Sequence, residues 1–352
     1  MKLGTLRRSI WLSLIVVAVG VAPLRADTTM RTHVTWKSGG MMPPAMVTQF
    51  MAMAKAATAR MPSDIVLEMQ GTKARTEGTG MGISIIDLGS SQITVLNPAT
   101  KHFATLPLHD YLTTGPSALS AKLPPVPPQA QQFFSALQIT TETHTAGRTD
   151  TVAGVQVEEH TVALTLRIDP SKFPPDPAHP IPAEVLPLFQ TPVLRLEFAF
   201  WTPAPGESQR VAALGQIQSF SAVQRQMFSP VAQMQTILAQ LPPEIADKLS
   251  AASAPFADVK TSLRTRIVVY LPIVAPVASY LNAHPPQGAN PMVMAVLEGL
   301  DASQPLVEMD TEVSELSEGP LDASLFTPPP GYTAQPAAAL LQSLTPQLPK
   351  HE

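Results

Sequence analysis

Ile65-Val66-Leu67-Glu68-Met69-Gln70 sets the period on which the reading of this chain turns. Ile65, Leu67 and Met69 fall on one side of an extended chain and Val66, Glu68 and Gln70 on the other, the two-residue period of a strand. Ile83 and Ile85 resume it, Gly89-Ser90-Ser91 breaks it, and Ile93, Val95 and Asn97 take it up again. Asn97-Pro98-Ala99-Thr100 suits a type I turn, with Asn first and Pro second, after which Lys101 to Leu106 returns. Connections this short join antiparallel neighbours, so this region reads as a meander of three adjacent strands.

Toward the N-terminus the period changes. Met46, Phe50, Met53, Ala57 and Met61 recur at three or four residues behind Pro43-Pro44, predicting a helix with a methionine-rich stripe over 43–61. Met30 to Trp36 is short and β-prone. Before it, Lys2, Arg7 and Arg8 precede an apolar run from Ile10 to Ala22, followed by Pro23-Leu24-Arg25-Ala26-Asp27. This is the layout of a secretory signal cut after Ala26, and the run is short for a membrane span of ~20 residues. Residues 1–26 are expected to be a signal peptide and 27–352 a periplasmic or secreted protein with no membrane span once the signal is cut. Without Lys2, Arg7, Arg8 and Arg25, 19 basic residues remain against 27 acidic, a net charge of −8. Such a chain repels nucleic acid and anionic membrane surfaces. It has no Cys, which removes disulfide frameworks, thiolate metal sites and thiol nucleophiles. With 38 Pro it is proline-rich, yet 45% apolar residues against 14% charged argue against a fully disordered chain.

Past the meander, residues 107–131 form a proline-dense connector. Ile139 to Thr145 alternates again up to a break at Gly147. Val155 to Ile168 is the longest predicted strand, but its apolar phase is odd at Val155 and Val157 and even at Val162, Leu164, Leu166 and Ile168. A regular strand cannot place both sets on one face, so a bulge is expected near Glu158-Glu159-His160. Thr191 to Trp201 gives the clearest strand. Leu194, Leu196, Phe198 and Phe200 take one face and Arg195, Glu197 and Ala199 the other. From about 205 to 300 the pattern reads as helical. Ser229-Pro230 opens a helix whose stripe is Val231, Met234, Ile237, Leu238 and Leu241, and Asn290-Pro291 opens a shorter one. Ile267 to Leu281, the most apolar later run, contains Pro272 and Pro276 and suits a buried element. Val307, Met309 and Val313 alternate with Glu308, Asp310 and Glu312 as another strand, and Pro336 to Leu344 suits one short helix.

Signatures of chemistry are scarce. Gly78-x-Gly80-x-Gly82 runs into Ile83-Ser84-Ile85-Ile86, a strand pattern, where a phosphate loop needs a helix. No two of the eight His lie three or four residues apart. Glu158-Glu159-His160 reads as exposed strand residues, since neighbours on a strand point to opposite faces. Gly82-Ile83-Ser84-Ile85-Ile86 lacks the second glycine of a nucleophile elbow, and His109-Asp110 has no identifiable serine partner. Glu308, Asp310 and Glu312 read as a solvated strand face. No catalytic residue, metal ligand or cofactor site is assigned, and the chain is read as non-enzymatic. The 15 Met suit either filler in a core or the lining of an adaptable apolar cavity.

Lys73-x-Arg75-x-Glu77, Ile85-Ile86-Asp87, Ile93-Thr94-Val95-Leu96-Asn97-Pro98 and Lys101-His102-Phe103 follow one another in the meander. Thr151 to His160 and Phe326-Thr327-Pro328-Pro329-Pro330-Gly331-Tyr332 come later. In this order the segments resemble LolA-like proteins, the periplasmic lipoprotein carriers and their secreted relatives. The resemblance implies an α+β fold, a strongly curved antiparallel β-sheet forming a half-open barrel covered by helices, with 205–300 as a helical insertion. Such a shell holds acyl chains. The expected function is therefore binding of a lipid, another hydrophobic ligand or a lipidated protein, as in a carrier. The alternative is an envelope sensor or scaffold that binds a protein partner through the same face. The expected lining is Leu194, Leu196, Phe198 and Phe200, closed over by Met234, Ile237 and Leu238.

Overall fold

The computed structural model describes residues 27–43, 47, 63–78, 82–112, 136–172, 185–228, 261–285, 294, 297 and 299–344. The expected signal peptide, most of the helix expected over 43–61 and the segment with Met234, Ile237 and Leu238 expected to be helical lie outside the described residues.

Among the described residues, twelve strands form a single sheet. They are β1 (Thr28–Ser38), β2 (Asp64–Gln70), β3 (Lys73–Gly78), β4 (Ile83–Asp87), β5 (Gln92–Asn97), β6 (His102–Pro107), β7 (Leu137–Val152), β8 (Val155–Ile168), β9 (Leu194–Pro203), β10 (Arg264–Tyr270), β11 (Val307–Glu318) and β12 (Thr333–Ala334). Their order is β12-β6-β5-β4-β3-β2-β1-β11-β10-β9-β8-β7. The first strand thus lies mid-sheet. Strands β2 to β6 wind away from it on one side, and β11 back to β7 on the other. Every neighbour is antiparallel except β12, which runs parallel to β6. The helices described beside the sheet include α1 (Leu186–Gln190), α2 (Glu207–Arg210), α3 (Ala212–Phe228), α4 (Val274–Ala283) and α5 (Ala337–Leu344).

This corrects the expected helix-covered, half-open antiparallel barrel. The chain is β-rich, with 48% strand against 24% helix, and its sheet is mixed and open, ending at β12 and β7. The reason is visible in β4 and β5, where adjacent residues are both buried: Ile85 beside Ile86, and Val95 beside Leu96. Adjacent strand residues point to opposite faces, so these strands need cover on both. Ile86, Ile93 and Val95 join a core with Leu340 of α5 and with Leu214, Ile217 and Phe220 of α3. Ile83, Ile85 and Leu96 pack instead against Phe326 on the 3-10 turn Ala323–Phe326. The sheet is a layer between thin covers.

Two further expectations change. The stretch 205–300 is not helical throughout, because Arg264–Tyr270 is strand β10, inserted between β9 and β11. The meander has five strands from Asp64 to Pro107, because Lys73–Gly78 forms β3.

The expected bulge sits on the partner strand. The β8–β9 ladder runs unshifted from Val157↔Pro203 to Leu166↔Leu194. The register shift lies in β7, between Thr145 and Thr149, opposite Glu159. Val155 and Val157 accordingly join the large core with Val152, Trp201 and Leu263, whereas Val162 and Leu164 pack with Phe198. The two phases serve opposite faces. A bulge bends its strand, and the β7–β8 tip leans across β9, since Asp150 reaches Arg264 of β10 at 2.7 Å.

Candidate functional site

Strands β7 to β10 present two unlike faces. Cross-strand pairing puts Leu166 opposite Leu194, Leu164 opposite Leu196, Val162 opposite Phe198 and His160 opposite Phe200. Residues paired directly across an antiparallel ladder share a face. Ile267 of β10 pairs with Phe198, and Ile139 of β7 with Leu166. Leu194, Leu196, Phe198 and Phe200 therefore lie in one row, and the Phe198 and Phe200 rings stack with centroids 6.2 Å apart. Val162, Leu164 and Phe198 are buried; Ile139, Leu166, Leu194, Leu196, Phe200 and Ile267 are half-buried.

On the opposite face, beyond the core residues Val155, Val157 and Trp201, the side chains are largely polar. Ala163, Ala199 and Thr161 are small, and they floor a pocket of about 430 Å³ in the crook of the bent hairpin. Arg195 and Glu197 stand on one wall, paired at 2.6 Å. Arg266 lines it from β10 and is bound to Asp310 of β11 at 2.8 Å. Burial, and then the nearby Glu197 carboxylate, raise the pKa of the lining residue Tyr270 above its ordinary value. At one end lie Glu159 and Trp201, direct partners across the ladder. The Glu159 side chain is only 8% exposed, and among the described residues its Oε2 accepts no hydrogen bond. The ion-pair contact to Glu159 comes from Arg148 Nε at 3.4 Å, on a side chain 79% exposed. Arg148 belongs to the bulged segment, so the extra residues of β7 bring it opposite Glu159.

Behind Trp201, the Arg264 guanidinium lies 5.4 Å from the ring centroid and binds Glu312 at 2.8 Å as well as Asp150. Glu308, Asp310 and Glu312 are thus more than a solvated row. Asp310 is 14% exposed and shared by Arg266 and Lys37. Glu159, expected at the surface, is buried. The missed signal was its phase: Val155, Val157 and Glu159 are all odd-numbered on a regular strand, so a carboxylate continues a buried row. Among the described residues, no group of three His, Asp or Glu is placed to hold a metal ion. Gly78 ends β3 and Ile83 begins β4, so no helix follows the three glycines.

No family model matches the chain, and no curated protein matches it. A solved structure of PNGF-II is similar over 91% of this chain and 32% of its own, at 8% identity and a TM-score of 0.27. The chain thus spans about a third of that protein's length, and a likeness this loose bears on neither fold nor activity.

Proposed function

We propose that the chain is an exported, non-enzymatic protein that binds a lipid or another hydrophobic ligand along the apolar row of β7 to β10, in the manner of a carrier. The observation that carries this reading is the half-buried state of that row. Leu194, Leu196, Phe200, Leu166, Ile139 and Ile267 are contiguous across four strands and retain surface. An acyl chain laid along them would remove that surface from water, at about 25 cal/mol per Å². The segments that resemble LolA-like carriers support the same reading. Among the described residues no helix is long and apolar enough to cross a membrane.

The test is to purify the chain from its host, extract it with organic solvent and identify co-purifying lipid by mass spectrometry. Bound acyl chains are expected, and they should be lost from Phe200→Asp with the fold retained by circular dichroism. A wild-type protein that is empty and takes up no fluorescent fatty acid refutes the proposal.

A further inference from the structure

The polar pocket on the other face of β7 to β10 carries a second inference. A carboxylate more than nine-tenths buried normally has its oxygens hydrogen-bonded, because desolvating a charge without a partner is costly. Among the described residues, Glu159 Oε2 has no hydrogen bond, and its ion-pair contact is the exposed Arg148 Nε at 3.4 Å, outside ordinary hydrogen-bond distance. Glu159 lines a pocket of about 430 Å³, wide enough for a small molecule or a side chain. The other charges there are partly spoken for. Arg195 is held by Glu197 and Arg266 by Asp310, whereas Glu308 and Glu142 add further carboxylates to the lining. The balance left over is acidic. Trp201, paired directly with Glu159, adds an aromatic group; the face of an indole attracts cations, and the Arg264 guanidinium already lies 5.4 Å from this ring's centroid.

We infer that this pocket binds an organic cation of the guanidinium or primary ammonium class. Glu159 is the anionic anchor, Trp201 the aromatic wall, and Arg148 a resident cation that the ligand displaces. A planar guanidinium matches a carboxylate in two-point geometry, which the single long Arg148 contact does not use. The bulge is what places Arg148 there, so the arrangement is one of competition: the chain supplies a weak occupant from an arginine 79% exposed. The site lies on the opposite side of the sheet from the apolar row, and its test is independent of lipid binding.

The source of the cation is either a free small molecule or an arginine or lysine side chain of a peptide, and two probes separate them. Trp201 is made the reporter in a Trp11→Phe, Trp36→Phe background, using the chain purified from its host. Arginine amide and the peptide Gly-Arg-Gly are titrated, with propionate as the anionic control. Saturable change with a cationic probe is expected, with Arg148→Ala binding more tightly. Glu159→Gln should bind more weakly by about tenfold or more, the scale of a charge-assisted hydrogen bond. Binding of arginine amide alone assigns a small-molecule site; tighter binding of the peptide assigns a side-chain site. Equal affinity in Glu159→Gln overturns the inference. So does the absence of saturation in Arg148→Ala, a variant at an exposed position that leaves the buried carboxylate in place.

Discussion

Phe198→Ala asks how closely the apolar row of β9 is packed. Phe198 is 7% exposed, so truncation removes a benzyl group that is almost wholly buried. A Phe buries roughly 200 Å², and at about 25 cal/mol per Å² this is about 5 kcal/mol against an extended chain. Real denatured chains already hide part of that area, which brings the figure down to about 3–4 kcal/mol, within the span seen for Phe→Ala in cores. Phe200 stacks on it but is half-buried, so Phe200→Ala should cost about half as much, about 2 kcal/mol. Arg195→Ala, on the other face and 49% exposed, should stay within about 0.5 kcal/mol. The assay is urea unfolding followed by tryptophan fluorescence and far-ultraviolet circular dichroism, with equal slopes required before midpoints are compared. A loss below about 1 kcal/mol for Phe198→Ala, or a larger loss for Phe200→Ala, refutes the close-packed reading of this row.

Three other outcomes are open to measurement. A double-mutant cycle of Arg264→Ala and Asp150→Ala should give a small favourable coupling, since both partners reach solvent, and 1 M salt should shrink it; zero coupling would detach the hairpin tip from β10. The Thr151 amide, and then the Arg264 guanidinium, hold the Asp150 carboxyl below its ordinary pKa of 3.8. Its contribution is therefore present above that value and lost as pH falls through the lowered folded-state value. Asp150→Asn should flatten the acid limb of the stability profile below about pH 4, and an unchanged acid limb in thermal unfolding would contradict it. Gly39→Ala should destabilise by about 3 kcal/mol, because the added Cβ would sit 1.8 Å from the Pro305 carbonyl oxygen. Gly40→Ala meets only the Gln304 side chain, at 3.2 Å, so it should lose far less in the same unfolding assay.

The sheet's halves were unequally legible. β9 and the later half of β8 announce themselves because one face of each carries large apolar residues in strict alternation. β3 does not: in Lys73–Gly78 the buried positions are Ala74 and Thr76, too small and too polar to register as a stripe. β10 was hidden for a different reason. Its Arg264 and Arg266 lie among acids on neighbouring strands, so half of its pattern is electrostatic and has meaning only once β9 and β11 flank it. The apolar row could be read from one strand. The polar pocket could not, since Glu159, Trp201 and Arg148 come together through a ladder pairing and a bulge on a third strand.

The mid-sheet place of β1 bears on how the chain comes to be made. One edge of β1 finds β2 soon after synthesis, but the other waits for β11, and the Ser314 hydroxyl that bonds the Arg31 carbonyl is 283 residues later. At ~5–20 residues per second the edge stays bare for roughly 15–60 s. Throughout that interval a nascent chain displays a strand template open to any passing partner, so its safe passage depends on being kept extended or escorted until β11 arrives. The same geometry inverts the usual tolerance of chain ends to trimming. A stop codon at Leu306 would spare the first ten strands, yet it would open the sheet at its centre.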